Sequence, residues 1–503
     1  MKSIINWLSK AYFANRKYKY THEEILSYQD DFLVDLMISN KDTFVGKKYN
    51  FEDVIDYDSF KKNIPVFHYD DYKEYIYMSV KWQQNIICSD DIDFWAKTSG
   101  TTNDYQKYIP VTKRYLHNNH YKWWKDTISN YVNCNPDTKL FEWKWITIWW
   151  AMSQNQYIDK DNIWNISAII QINNNILVDL LFTEPSQEIS FLSDWNSKLD
   201  MIINTCKDKN ITSTIWVTSR SLYLLKQLLV SQNKNFVDEI WPSYELFLTG
   251  GMDYKPLSKN IHSLFKKSIN IRQVYNTCEW YIWSQCCNDD NNMYLLLCHD
   301  IYYEFLNWED YKIWNFDNIA NTYNISNNIE YVLVITNSCG LYRYIIWDII
   351  KFININCFEF TITWRTKAYL DSFSEHVREN HTNTVIYFIS QKYNILINDY
   401  HVWTIMNNMW DWSGCHHRII ELDFDIHNDN TLSESIDLEL QKNNMAYNHK
   451  RSWNMLIQKP VVQIVPKWTF TKWFASKWKL WWQNKIPKLR NDDKIIKEIN
   501  NLL

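Results

Sequence analysis

Lys97-Thr-Ser-Gly-Thr-Thr-Asn-Asp-Tyr-Gln-Lys-Tyr-Ile-Pro110 is the stretch on which the reading of this chain turns. It gathers Thr98, Ser99, Thr101 and Thr102 around Gly100 and then supplies a cation, Lys107. Backbone N–H groups, side-chain O–H groups and an ammonium are together the donors that cradle a polyphosphate. The Gly-Lys-Ser/Thr ending of a Walker A loop is missing, so the P-loop class does not apply. On its own, a Ser/Thr/Gly segment of this kind is also an ordinary turn.

The surrounding 503 residues allow two domains or more. A hydrophobic fraction of 46% supports a real core. The formal net charge of −5 lacks the basic field of a nucleic-acid binder. None of the 10 Cys forms a CxxC pair, which fits a reduced, cytoplasmic protein without a zinc framework. Lys10 interrupts the short apolar patch from Ile4 to Leu8 before it reaches signal-peptide length. No run approaches the ~20 apolar residues of a membrane span. A monomer acting on small molecules is the expectation.

Glycine is the anomaly. There are 6 Gly and 28 Trp, with doublets at Trp123-Trp124, Trp149-Trp150 and Trp481-Trp482. Ordinary usage would give roughly 35 Gly at this length. Tryptophan fills nearly the whole shortfall, although the two residues are opposites in bulk and backbone freedom.

Residues 1 to about 80 read as helical, with an amphipathic segment from Glu23 to Ile38. Helical patterns at 114–132 and 194–208 alternate with strand-like runs. Those runs are Ile166 to Ile170, Ile211 to Val217, Val274-Tyr275, Met293 to Cys298 and Tyr331 to Thr336. The alternation predicts an α/β architecture. After about residue 368 the pattern changes. Strand-like pieces at 384–389, 417–424 and 460–465 mix with helices at 432–442 and 446–456, which predicts a smaller α+β domain.

Further segments carry a family resemblance, in order along the chain. They include Trp241-Pro242 leading into Gly250-Gly251, Tyr275-Asn-Thr-Cys-Glu279-Trp-Tyr and Ile301-Tyr-Tyr-Glu-Phe305. Gly340-Leu-Tyr-Arg-Tyr-Ile-Ile-Trp-Asp348, Trp364-Arg-Thr-Lys367 and Lys479-Leu-Trp-Trp-Gln-Asn-Lys-Ile-Pro487 follow. With the loop at 97–110, they resemble the auxin-responsive acyl acid–amido synthetases of plants and their bacterial relatives, within the adenylate-forming enzymes. The resemblance implies a large N-terminal adenylation domain, 1–368, with β-sheets flanked by helices. It implies a mobile C-terminal α+β lid domain, 369–503.

The same resemblance implies a two-step ligase that uses ATP and Mg²⁺. A carboxylic acid is adenylated, and an amine, an amino acid in this family, then takes the acyl group. Ser99, Gly100, Thr101, Thr102 and Lys107 would hold phosphates, and Glu279 would bind Mg²⁺. Tyr275 would wall the adenine, Asp348 would bind the ribose, and Arg365 would contact ribose or phosphate at the domain junction. Lys485 would be the mobile catalytic lysine. Met152, Val217, Ser219 and Tyr303 would face the acid, although core packing is an equal reading for them. Arg343 reads instead as a structural ion-pair partner. The family's Gly-Val-Pro-Ser-Trp segment is Trp216-Val-Thr-Ser-Arg220 here, so plant-hormone substrates are not implied. The alternatives are an acid–CoA or carrier ligase and a non-catalytic binding protein.

The departures fall on one residue type. Trp143, 149, 150, 164, 216, 280, 347, 364, 468, 478, 481 and 482 stand where the family has Gly. Trp82, 123, 124, 145, 283, 410 and 412 belong with them. Trp195, Trp241 and Trp473 match family tryptophans, and Trp7, 95, 308, 314, 403 and 453 fit neither set. Such substitutions are expected from a gene that reads UGA as Gly but was translated with UGA as Trp. Drift would scatter Gly into small residues instead.

Overall fold

A computed structural model describes residues 2–17, 19–81, 84–97, 107–148, 163–174, 176–192, 194–250, 254–277, 279, 281–285, 293–365, 369–370, 375, 377–408, 413–422, 429–452, 457–477 and 486–503. The first eighty residues form helices Lys2–Asn15, His22–Asn40, Phe44–Lys48, Tyr57–Asn63 and Tyr69–Val80. Thr21 starts the second with a capping box: its hydroxyl accepts from Glu24 N–H at 3.2 Å, and the Glu24 carboxylate accepts from Thr21 N–H at 2.9 Å. This helix buries Phe32, Leu33, Leu36 and Met37 on one helical stripe.

The core is an eleven-stranded sheet. Edge to edge its strands are Ile301–Asn307, Glu330–Asn337, Tyr344–Asn354, Glu359–Arg365, Met293–Leu295, Tyr281–Gln285, Asn270–Asn276, Leu246–Gly250, Ile211–Val217, Lys144–Thr147 and Thr183–Glu184. The strands from Asn270–Asn276 to Thr183–Glu184 pair in parallel. Helices Trp195–Cys206 and Thr218–Gln232 cover this half and bury Leu199, Ile202, Leu225 and Leu228. The other half is antiparallel. A small sheet pairs Phe94–Lys97 with Tyr108–Val111, Lys97 opposite Tyr108, so the two ends of the stretch at 97–110 are clamped together.

In the C-terminal part a four-stranded sheet runs Ile457–Val465, Ser413–Leu422, Ile397–Asn408, Leu489–Arg490. Helices Glu379–Tyr393 and Asp429–Asn443 pack on one face; Thr469–Ser476 and Lys494–Asn500 pack on the other. Asn260 reaches this part by donating to the Ile397 carbonyl at 3.4 Å, and Arg378 pairs with Glu330. Among the described residues, no helix is long and apolar enough to cross a membrane.

Three local expectations change. Ile166 to Ile170 is not a strand but part of helix Ile166–Ile172, burying Ile166 and Ile169 one helical turn apart. Residues 384–389 lie within helix Glu379–Tyr393, which buries Val385, Ile386 and Ile389. In both, β-branched residues favour strand locally, but the i, i+3/i+4 burial pattern wins. The strand at Met293 ends at Leu295, before Cys298.

Arg343 is the ion-pair partner expected. Its guanidinium and the Glu304 carboxylate are 2.9 Å apart, 3% and 0% exposed. Arg343 Nη1 also donates to the Ile64 carbonyl at 2.7 Å, tying the helical N-terminus to the sheet. Glu304→Gln removes one charge and leaves the other buried, so a loss of about 3 kcal/mol is expected, read from the urea midpoint.

Candidate functional site

Parallel strands leave their C-terminal ends, with unsatisfied backbone groups and loops, on one edge of a sheet; ligands of open α/β folds bind there. The register brings Thr147, Val217, Gly250 and Asn276 to this edge. Glu279 follows three residues after the last of them. The Tyr275 hydroxyl donates to Asp348, which is 3% exposed, joining this edge to strand Tyr344–Asn354.

Lys107 comes to the same place from the small sheet. Its ammonium donates to the Tyr344 hydroxyl at 3.0 Å. It also lies 5.1 Å from the Tyr69 ring and 5.6 Å from the Tyr344 ring, within cation–π range. Burial pushes the Tyr344 hydroxyl well above its ordinary pKa, and the negative charge of Glu279 adds to the shift. Burial likewise raises Tyr69, with Glu279 a smaller cause. A carboxylate and an ammonium therefore face the same two tyrosines.

The Glu279 peptide is fixed. Its carbonyl accepts from the Tyr115 hydroxyl at 2.8 Å and from Asn337 Nδ2 at 3.4 Å. Its N–H donates to Thr277 Oγ1 at 3.3 Å. No described residue hydrogen-bonds its carboxylate, and the residue is half-buried. Arg365 ends strand Glu359–Arg365 directly opposite Asp348, beside the pair formed by Ile349 and Trp364.

Val217 ends its strand and begins helix Thr218–Gln232, half-buried at the same edge. Ser219 lies in the first turn of that helix. Tyr303 is elsewhere: it is fully buried, and its hydroxyl donates to the Leu296 carbonyl at 3.3 Å. It packs the core and offers no face to an acid. Ser99, Gly100, Thr101, Thr102, Met152 and Lys485 lie outside the described residues, as does the Arg365 side chain. Sequence reasoning missed Tyr69 and Tyr344 as supports of Lys107. Tyr344 lay within a quoted motif, whereas Tyr69 gave no signal.

Two tryptophans occupy left-handed backbone. Trp468 has φ +73° and Trp314 φ +56°. That region costs an L-residue roughly 1–2 kcal/mol, and glycine almost nothing. Trp468 stands where the resemblance places Gly; Phe358 and Arg343 adopt the same region at φ +52° and +42°, so the conformation alone assigns nothing for Trp314. Gly340, which is written as glycine, has φ +98° against the Ile87 backbone and tolerates no other residue easily. Trp241 and Trp473, matched to family tryptophans, each donate their indole N–H, to the Cys206 carbonyl at 3.0 Å and to Glu498 at 2.9 Å. Trp145, grouped with glycine, also has such a bond, 2.7 Å to the Leu140 carbonyl. Trp82, 149, 150, 280, 410, 412, 453, 478, 481 and 482 lie outside the described residues.

The sequence matches the GH3 family N-terminal domain over 15–160, the GH3 family central domain over 294–365 and the GH3 family C-terminal domain over 380–494. No curated protein sequence matches it. Among solved structures it is similar to AtGH3.15 acyl acid amido synthetase in complex with 2,4-DB, at 14% identity and TM-score 0.77, covering 96% of this chain and 97% of that one. It is also similar to a 2-hydroxyisobutyryl-CoA ligase in the postadenylation state, at 10% identity and TM-score 0.58, covering 95% and 92%. At these identities the likeness concerns the fold, which is a mixed α/β, two-domain layout in all three.

Proposed function

The chain belongs to the GH3 family, and from that premise we propose that it is an ATP-dependent ligase that adenylates a carboxylic acid and transfers the acyl group to an amino acid, forming an amide. The observation that carries the reading is the convergence of Lys107, Glu279, Tyr275 and Asp348 at the C-terminal edge of the parallel strands, with Lys107 bonded to a residue 237 positions away. We assign residues 1–368 to the adenylation domain and 369–503 to a lid.

In the first step a carboxylate oxygen of the acid attacks the α-phosphorus of ATP, and pyrophosphate leaves. In the second the amine nitrogen attacks the acyl carbon, and AMP leaves. The protein's task is to hold anions, neutralise charge that develops in the displacement and exclude water from the mixed anhydride. Lys107, oriented by Tyr344 and Tyr69, would offer an ammonium to the phosphates, a task the family resemblance also gives to Ser99, Gly100, Thr101 and Thr102. Asp348, which accepts from the Tyr275 hydroxyl, would bind the ribose hydroxyls. Tyr275 and Arg365 border the nucleoside.

Mg²⁺ fits the residues present. No group of three or more His, Cys, Asp or Glu among the described residues converges as a metal cage. Mg²⁺ needs only one or two carboxylates together with substrate phosphates, and the Glu279 carboxylate would provide one. When bound, the ion would neutralise phosphate charge.

Two outcomes test this reading. Tyr344→Phe keeps the ring but removes the oxygen that holds Lys107; KM for ATP is expected to rise about tenfold with kcat little changed. A product assay offering CoA and mixed amino acids together is expected to yield amides. Thioester as the main product would favour the acid–CoA ligase reading.

A further inference from the structure

The first helix, Lys2–Asn15, wears its apolar side outward. Ile4, Trp7, Leu8 and Tyr12 are 61%, 66%, 55% and 53% exposed. Their spacing, i, i+3, i+4 and i+8, makes one stripe along the helix. A surface helix ordinarily turns such a stripe to the core and shows charge to water. Here helical spacing puts Lys10 and Arg16 about a third of a turn to either side of the stripe, and no charge on it. Ile4, Leu8 and Tyr12 carry the stripe even without Trp7, which the family resemblance leaves unassigned.

The helix cannot roll to hide this side. The Asn6 amide donates to the Thr138 carbonyl at 3.4 Å and accepts from Phe141 N–H at 3.3 Å. Phe13 stacks on Phe141 with ring centroids 5.3 Å apart. Arg16 pairs with Asp126 at 2.8 Å. Burying the stripe would break all of these contacts.

An exposed apolar stripe marks a docking surface, and the charge around it says what docks. Residues 1–22 hold five cations, Lys2, Lys10, Arg16, Lys17 and Lys19, and no Asp or Glu, in a chain of net charge −5. Pairing with Asp126 and Glu24 offsets Arg16 and Lys17 and leaves the segment basic. A second copy of the chain would set this basic segment against its like. A nucleic acid would use the charge and leave the stripe wet. An anionic lipid surface uses both, because apolar side chains enter the acyl boundary while lysines reach the headgroups. We infer that helix Lys2–Asn15 docks the protein on an anionic membrane surface. The helix lies in the plane of the surface, with Ile4, Leu8 and Tyr12 inserted and Lys10 among the headgroups. This docking is independent of the ligase reading.

The test uses the full-length chain and vesicles of phosphatidylcholine, alone or mixed equally with phosphatidylglycerol. Bound protein is read by co-sedimentation. Partition to the mixed vesicles is expected to exceed that to phosphatidylcholine by about tenfold or more, and to fall as salt is raised. Ile4→Ser combined with Leu8→Ser is expected to lower it by about tenfold with melting unchanged, because both side chains face water. Lys10→Gln is expected to weaken it about fivefold. No binding to the mixed vesicles, equal binding to both kinds, or binding that survives the paired substitution would each overturn the inference. So would a stable dimer that the paired substitution splits, which would assign the stripe to a second copy. If the paired variant fails to fold, Lys10→Gln and the lipid dependence decide.

Discussion

With glycine at the family glycine positions, the chain is expected to catalyse acid-dependent pyrophosphate exchange at least about a hundredfold faster than the chain with tryptophan there. The geometry explains the size of the effect. Trp347 directly precedes Asp348, and Trp364 directly precedes Arg365, which faces Asp348 across paired strands. A residue without Cβ at these places lets nucleotide approach the backbone, whereas an indole competes for that volume. Trp468 adds left-handed backbone that glycine adopts without cost. We propose that the native gene reads UGA as glycine. UGA codons at these positions and UGG at Trp241 and Trp473 would agree with this; UGG throughout would end it. The Trp chain is expected to melt broadly and to lack exchange, so a cooperative melt with exchange from that chain would count equally against the proposal.

The second large effect is at Lys485. Lys485→Ala is expected to lower pyrophosphate exchange by about 10²–10³, the usual cost of removing one group that neutralises transition-state charge. The family resemblance assigns this lysine to the adenylation step, and the residues after it are firmly anchored. Ile486 is buried in the cluster of Trp403, Ile419 and Trp473. His401 Nδ1 is 2.6 Å from the Pro487 carbonyl, and Val402 N–H donates to the Lys488 carbonyl at 2.9 Å. A substitution at 485 should therefore leave folding intact, so circular dichroism and melting should match the parent. A loss below threefold would show that the charge is supplied elsewhere.

Much of the architecture was legible because long periodic segments speak for themselves. The strand from Ile211 to Val217 and the helix through Glu23 to Ile38 both appear as read. Short β-branched runs were not legible. At 166–170 and 384–389 local propensity pointed to strand, and only packing against neighbouring elements reveals which face is buried. The proposed site came from motifs, which single out Lys107, Glu279, Tyr275 and Asp348 without saying that they meet. Tyr69 was invisible because its role depends on a contact between segments distant in sequence. Tyr303 misled because a motif position near a binding strand says nothing about which way the side chain faces.

The central claim is acid adenylation, and it is met most directly by incubating the glycine-containing chain with Mg²⁺, ATP, labelled pyrophosphate and a panel of carboxylic acids. The account predicts label entering ATP only when a suitable acid is present, with AMP formed once an amino acid is added. Exchange independent of acid, or cleavage to ADP and phosphate, would contradict it.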